Sequence, residues 1–506
     1  MKAPVRALGV AVVSLATASV AALLVVPERS EEARRDRLDE QDRLNALAAD
    51  RREEARAEEE ARAAAEDPAG ELPEFLDRLV EASGGDGEGG GLVGGLLEDC
   101  GDAISDATED GGPGFFERGG SAGPDQQLRE VAAVVERLRG LRFRDLPDPV
   151  YLSQDDLAQR VRDLSVAEVP PGSLEADSRA LVALGVLPPG SDLREILLES
   201  VGEMVAGFYD PDTRELVVLR TGQGRLDGFT RTVLAHELDH ALTDQVHGLP
   251  PLDATPPPGE EDKLLAGAAL VEGDATLLMQ QYLVGHVPFV EQVRALSAAL
   301  GGEVDVAALP YQLQRELAFP YLEGLEFACN LHARGGWAAV DRAYRVLPTT
   351  TAQVLFPDRY RAGEGAVDAR DPGAAGASWE PAPTMSLGAA QLQWLFEAPG
   401  GDPDRSLDDP LGRAAAWAGG ELRVWADGER TALGVALVQR AGERPLCASM
   451  ASWYAAAFPD ARAVDRREGE ELAFDGASQD AVVRCAGTEV RLGIAPDLAT
   501  ARALAA

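Results

Sequence analysis

Lysine is almost absent from this chain of 506 residues: Lys2 and Lys263 are the only two, so arginine carries nearly all of the positive charge. Lys and Arg together number 47 against 86 acidic residues, which gives a formal net charge of −39. A nucleic-acid-binding surface needs basic side chains that displace counterions from phosphates. The charge balance therefore argues against nucleic acid as a partner. The apolar fraction of 45% is ordinary for a chain with a folded core.

Cysteine is also scarce, with four residues. Cys447 and Cys485 lie in one C-terminal block and would close a loop of modest size, so we expect a disulfide between them. Cys100 and Cys329 are the remaining pair. Four cysteines permit three pairings, and Cys329, in the apolar context FACNL, could instead be a buried thiol. Disulfides would indicate an oxidising compartment outside the cytoplasm.

The N-terminus carries an uncharged run of 20 residues, Ala7–Val26, preceded by Lys2 and Arg6. A helix of about this length crosses a bilayer, and basic residues before it place the N-terminus in the cytoplasm. We predict that residues 1–27 form a membrane anchor, so that the protein is a single-pass protein of the cell membrane with its bulk outside. The alternative is a cleaved signal peptide and a secreted protein. Both interpretations make the protein exported.

Composition and periodicity divide the rest of the chain and predict an α+β fold. The pattern is mostly helical before residue 360. Within it, residues 208–220 read as a β-hairpin or edge strand around the turn sequence YDPDTR. A small α/β domain follows at the C-terminus. In chain order, we predict an anchor or signal (1–27), a charged helical stalk (28–66), a flexible Gly-rich acidic linker (67–125), a first folded domain (126–360), a second linker (361–385) and a C-terminal α+β domain (386–506).

The segment HELDH, from His236 to His240, indicates a metal site. In a helix these two histidines lie one turn apart on one face, which suits a shared tetrahedral zinc ion. Leu234, Leu238 and Leu242 cluster on the opposite face and predict its burial in a core. The other three histidines, at positions 247, 286 and 332, have no partner at ligand spacing, and we expect ordinary packing roles for them.

Two histidines leave zinc short of protein ligands. Glu272 is a carboxylate in the apolar run AALVEGDATLLM, where an unpaired charge would be costly. We predict Glu272 as the third ligand; an exposed helix stripe is the alternative. Asp274 points about 200° away on the same helix, so both acids cannot face one metal. Thr276 shares the face of Glu272.

Glu237 follows the first histidine and would point beside the metal rather than at it. Hydrolysis needs such a carboxylate as a general base, whereas a structural metal site needs ligands only. A developing oxyanion also needs a hydrogen-bond donor. Tyr321, His332 and Tyr209 are candidates for that donor, and a structural role is the alternative for each.

HELDHALTD resembles the thermolysin-type helix HELTHAVTD, and a later helical Glu is the mark of the gluzincins. The segments GFYDPDTRELVV, ALVEGDA, PYLEGLEFACNL and TTTAQVLFPDRY are similar to those of exported metallopeptidases of that clan. The resemblance covers about residues 200–360. It implies a zincin-like metallopeptidase domain at 126–360, with His236 and His240 as zinc ligands, Glu237 as the catalytic carboxylate and Glu272 as the third ligand.

The chain departs from the thermolysin pattern in one place. That pattern has an Asp one turn after the ligating Glu, where this chain has Thr276. The hydrogen-bond partner that orients a ligating histidine would then be Thr276, Asp244 or a backbone carbonyl.

These features predict an exported or membrane-anchored zinc metallopeptidase, an endopeptidase rather than an exopeptidase, that hydrolyses peptide bonds through a zinc-activated water. Its partners would be a peptide or protein substrate and, through the N-terminal segment, the membrane; the oligomeric state stays open. The alternative is an envelope interaction protein with a structural or degenerate zinc site. The presence of Glu237 favours the enzyme.

Overall fold

A computed structural model describes residues 100, 103–104, 123–168, 174–200, 207–220, 226–250, 257–288, 309–440 and 445–506. The predicted anchor (1–27), the predicted stalk (28–66) and most of the predicted linker (67–125) lie outside these residues. Across the described ranges, no helix combines the length and the hydrophobicity that crossing a bilayer requires.

The described residues up to 362 are mostly helical, as their periodicity predicts. Its helices are α1 (Pro124–Arg139), α2 (Gln154–Glu168), α3 (Glu175–Ala183), α4 (Leu193–Ser200), α5 (Gly228–His247), α6 (Glu261–His286), α7 (Tyr311–Gly335), α8 (Trp337–Ala343), α9 (Thr351–Leu355) and α10 (Pro357–Ala362). Three of them, α5, α6 and α7, pack side by side and carry the candidate site.

A small sheet of three strands accompanies these helices. The strands are β1 (Pro149–Leu152), β2 (Gly207–Asp210) and β3 (Glu215–Leu219), in the order β1-β3-β2. β2 and β3 form the predicted hairpin, and its turn is closed by Asp210, whose carboxylate accepts hydrogen bonds from the backbone N–H of Asp212 and the hydroxyl of Thr213. β2 is a fully buried edge strand beside α5.

α5 begins and ends at recognisable signals. The side chain of Asp227 accepts a hydrogen bond from the backbone N–H of Thr230 and caps the N-terminus. At the other end, Gly248 adopts a positive φ of 77° that favours glycine. The apolar face predicted for the helix is buried in one core cluster together with residues of α1. Because both faces of α5 are buried as far as Thr243, the polar side chains from Thr230 to Thr243 also lie inside the protein.

The C-terminal part is an antiparallel sheet covered by helices. Its strands follow the order β4-β6-β7-β11-β10-β9-β8, with β5 also paired to β6. The elements are β4 (Glu380–Pro381), β5 (Met385–Ser386), α11 (Ala389–Glu397), α12 (Pro410–Ala414), β6 (Trp417–Asp427), β7 (Arg430–Gln439), α13 (Leu446–Ala457), β8 (Arg462–Ala463), β9 (Glu470–Asp475), β10 (Asp480–Ala486), β11 (Glu489–Ala495) and α14 (Leu498–Leu504). The mixture of helices and strands confirms the α+β class.

The helix α3 belongs to the first predicted domain but packs on the C-terminal sheet. Its Ala180 and Ala183 share a core cluster with Leu433 and Val435 of β7. The side chain of Gln479 also donates to the carbonyl of Ala183. The boundary at 361–385 stays a prediction.

Two disulfides join the four cysteines. Cys447 of α13 bonds to Cys485 of β10, as predicted, and Cys100 bonds to Cys329 of α7. The alternative that Cys329 is a free thiol is therefore wrong. Disulfides are typical of proteins that fold in an oxidising compartment, so they indicate an exported protein.

Candidate metal centre

His236 and His240 lie one turn apart on α5 and face each other. Their Nε2 atoms are 3.0 Å apart, and the ring planes are nearly perpendicular. Both side chains are buried, with at most 1% of their surface exposed. Two ring nitrogens this close together, buried away from water, need a cation or a proton between them, because their lone pairs repel each other.

Glu272 completes the group from α6. Its Oε2 lies 3.2 Å from Nε2 of His236, and its Oε1 lies 3.4 Å from Nε2 of His240. Donor atoms around a tetrahedral zinc ion, each about 2.0–2.1 Å from the metal, are about 3.3 Å apart. The observed separations fit that geometry. The buried group of His236, His240 and Glu272 can therefore hold a metal ion.

The carboxylate of Glu272 attracts the two histidine rings electrostatically. Burial alone would raise the pKa of Glu272, but the charge of His240 and hydrogen bonds from both histidines lower it to about 2. Burial alone would likewise lower the pKa of His240, but Glu272 raises it to about 9. The carboxylate is thus ionised over the whole neutral range. A proton on His240 competes with a metal ion for the same atoms.

Glu237 lies next to the ligands but outside their group. Its side chain is buried, and its Oε2 accepts a hydrogen bond of 2.9 Å from the backbone N–H of Tyr209 in β2. The hydroxyl of Tyr209 donates to Asp244, one turn after His240 on α5. The edge strand β2 is therefore attached to α5 at two points, and one of them is the predicted general base.

Tyr321 of α7 lies beside His236. Its ring stacks on His236 with centroids 6.2 Å apart, and 1% of its surface is exposed. Burial, and then the charges of Glu272 and Glu237, raise its pKa well above the usual value. The hydroxyl is close enough to feel both carboxylates, yet makes no full hydrogen bond to any described residue. It is a buried donor beside the candidate metal group.

The other predicted candidates fall elsewhere. Asp244 accepts hydrogen bonds from Tyr209 and from the backbone of Leu249, rather than from a ligating histidine. The hydroxyl of Thr276 and Nδ1 of His236 are buried without hydrogen bonds within the described part of the chain. His332 packs edge to face on Trp337.

A charged cluster around Arg139 joins α5 and α6 close to the ligands, and the sequence did not predict it. The guanidinium of Arg139, the last residue of α1, donates to Asp274 at 2.8 Å and to Asp341 at 2.7 Å. Its Nε also lies at an ion-pair distance of 3.4 Å from Asp239. Burial would lower the pKa of Arg139, but the three carboxylates raise it, so the guanidinium stays charged. Asp274 therefore pairs with Arg139 rather than joining the candidate metal group.

No family model, no curated protein and no solved structure matches this chain.

Proposed function

We propose that the protein is an exported zinc peptidase of gluzincin type, in which His236, His240 and Glu272 hold the metal and Glu237 is the general base. One observation carries the proposal: a buried carboxylate lies directly beside a three-residue ligand group without belonging to it. Burying an ionised side chain is costly unless it is paired or hydrogen-bonded. Glu237 is hydrogen-bonded to the backbone of Tyr209, but a structural metal site has no need of a carboxylate beside its ligands.

The donor set suits zinc. Two neutral imidazoles and one carboxylate leave a net positive charge on a divalent ion and leave a fourth position open. When bound, such an ion supplies Lewis-acid chemistry: it polarises a carbonyl and lowers the pKa of water. Zinc is proposed because two histidines and one glutamate, with one position left for water, are a donor set of catalytic zinc sites.

Glu237 would accept the proton of the attacking water and pass it to the leaving amine. The backbone N–H of Tyr209 holds one of its oxygens, so the carboxylate has a fixed direction. Tyr321 would supply the second electrophilic contact. Its hydroxyl makes no full hydrogen bond to a described residue. It could therefore donate to the oxygen on which charge develops during attack, which is how such donors accelerate acyl transfer.

Burial strengthens the electrostatic contacts within the site and limits the access of a substrate to it. The four side chains of the metal group and the base are exposed by 1% or less, so electrostatic contacts among them are stronger than in water. A peptide reaches these atoms only when neighbouring segments move apart. The same burial favours the second candidate function, an envelope interaction protein with a structural or degenerate zinc site.

The proposed setting is the outer side of a cell membrane. The two disulfides support export, and the uncharged run Ala7–Val26 would anchor the chain or direct its secretion. The proposed substrate is a peptide or protein cut internally. A net charge of −39 disfavours nucleic acid.

The experiment is the substitution Glu237→Gln in the full-length protein. Gln has nearly the same shape and keeps an oxygen that can accept the N–H of Tyr209, so fold and zinc content should be unchanged. It cannot accept a proton, and hydrolysis of casein or a peptide library should fall about 10²–10⁴-fold. The loss should lie in kcat rather than KM, because the proton moves only in the transition state.

Glu136→Gln is the matched control. Glu136 is a partly buried carboxylate of α1 that bonds to Arg142 and Phe143, and its substitution should leave hydrolysis intact. Wild-type activity should be lost to a chelator and restored by zinc. Either of two results would contradict the proposal: a folded, zinc-loaded wild type that cleaves nothing, or a Glu237→Gln variant as active as its parent.

A further inference from the structure

Arg139 connects the two helices that carry the candidate ligands. Asp239 directly precedes the ligand His240 on α5, and Asp274 follows the ligand Glu272 by two positions on α6. On a helix these offsets turn the aspartates about 100° and 200° away from the ligands. One guanidinium therefore contacts both helices at the level of the metal group, through side chains that are not ligands.

The surroundings of Arg139 leave it little freedom. Its side chain is fully buried, and the ring of Trp337 lies 4.4 Å from the guanidinium carbon. Tyr344 donates a second hydrogen bond to the same oxygen of Asp274 and stacks on His247. His247, the last residue of α5, in turn lies 3.3 Å from Asp341.

We propose that Arg139 is a positioning residue for the metal group: its guanidinium sets the spacing of α5 and α6, and so the distances from Glu272 to His236 and His240. The proposal rests on the function proposed above only in taking these three residues as metal ligands. The planar guanidinium has five donors in a rigid fork and can serve several carboxylates at fixed angles. A lysine ammonium has the same charge without that geometry.

The alternative is that Arg139 only stabilises the fold as a buried ion pair. Charge pairs of this kind are costly to break wherever they occur, so a loss of stability does not separate the two roles. Metal affinity and ligand geometry do separate them. Groups that hydrogen-bond to metal ligands and fix their orientation change metal affinity by about 10–100-fold when they are substituted. A residue that fixes the helices carrying the ligands should act on the same scale.

The test uses the full-length protein and zinc alone as the probe. Arg139→Lys should weaken zinc affinity about 10–100-fold, measured by competition with a chromophoric chelator under conditions where circular dichroism shows a folded protein. The visible absorption bands of the cobalt-substituted variant should also shift, because they report ligand geometry. If Arg139→Lys does not fold, Asp341→Asn takes its place in the test. It removes the partly exposed carboxylate that pairs with the guanidinium, and it should also weaken zinc affinity.

Arg315→Lys is the matched control. Arg315 pairs with Glu323 and Glu397 in a comparable network between α7 and α11, so its substitution should lower stability without changing zinc affinity. Unchanged zinc affinity in folded Arg139→Lys, or an equal loss in Arg315→Lys, would overturn the proposal. A wild type that binds zinc but cleaves no peptide would contradict the proposed function alone. A wild type that binds no zinc would overturn both.

Discussion

Gly273 and Gly324 are in backbone contact where α6 and α7 pack together. A Cβ atom placed on Gly273 would lie 2.0 Å from the carbonyl oxygen of Gly324, and one on Gly324 would lie 2.3 Å from the carbonyl oxygen of Ala269. Gly273 directly follows Glu272, and Gly324 lies one turn after Tyr321. The absence of both side chains therefore lets α7 bring Tyr321 beside the candidate metal group.

Gly273→Ala should force the two helices apart. Overpacking of this kind typically costs about 1–3 kcal/mol, and here the obstacle is backbone that cannot rotate away. The free energy of unfolding, measured with urea, should fall by at least that amount, and zinc affinity should fall with it. Gly267→Ala is the control in the same helix, because a Cβ there meets no atom within 4 Å. It should be neutral or stabilise by up to about 1 kcal/mol. Equal stability of the two variants would refute this account.

Glu272→Ala should remove most of the bound zinc, since two histidines alone leave the ion short of protein ligands. Zinc per chain after dialysis against a zinc buffer is the measurement, and the wild type should hold one ion. The control is Glu261→Ala in the first turn of the same helix, where the carboxylate accepts bonds from Ser386. Undiminished zinc in the Glu272→Ala variant would show that the third ligand lies elsewhere.

Tyr321→Phe should leave zinc content and stability nearly unchanged, because the hydroxyl it removes makes no full hydrogen bond in the described part of the protein. Loss of an oxyanion donor costs about 10²–10³-fold in kcat, with little change in KM. Tyr454→Phe deletes a similarly buried hydroxyl in the C-terminal core and should leave kcat unchanged. If Tyr321→Phe also keeps full turnover, the donor must be sought in another residue.

Asp262 should make the protein less stable as pH rises through the acidic range. Burial raises its pKa from 3.8 to about 6, against hydrogen bonds from Thr351 that lower it. The folded state therefore holds the proton more tightly than the unfolded state, and its stability falls between about pH 4 and pH 6. At about 1.4 kcal/mol per pKa unit, the total is roughly 3 kcal/mol.

The comparison is with Asp262→Asn, which keeps an oxygen for the Thr351 hydroxyl but has no proton to lose. Urea unfolding of both proteins from pH 4 to pH 7, with a chelator present, isolates the contribution of this carboxyl group. The wild type should lose stability relative to the variant as pH rises. Parallel curves would show that Asp262 titrates as it does in an unfolded chain.

The candidate ligands could be predicted because their signals are local. HELDH fixes two histidines one helical turn apart whatever the rest of the chain does. Glu272 can be recognised from the sequence because it is an acid in an apolar helical run, where burial without a partner is costly. The hairpin of β2 and β3 follows in the same way from turn residues between strand-like arms.

Arg139 and β1 could not be predicted, because their partners are distant in sequence. Arg139 reads as an ordinary basic residue in the last turn of an amphipathic helix, yet its hydrogen-bond partners are 135 and 202 residues away. β1 is four residues long and is a strand only because β3 pairs with it in parallel. Asp244, one of the three candidates for orienting a ligating histidine, shows the same dependence on distant partners: its carboxylate accepts a hydrogen bond from Tyr209, a residue of a different element.

The bond between Cys100 and Cys329 encloses every residue of the candidate site within one covalent ring of the chain. A peptidase of the proposed kind can cut other copies of its own chain. Any single cut between these two cysteines would leave both pieces joined by the disulfide. Such a nicked molecule would migrate as one band on a gel without reductant and as two bands with it. The segment that precedes Cys100 would thus stay attached to the proposed catalytic part after internal cleavage, and release from the proposed membrane anchor would require a cut before residue 100.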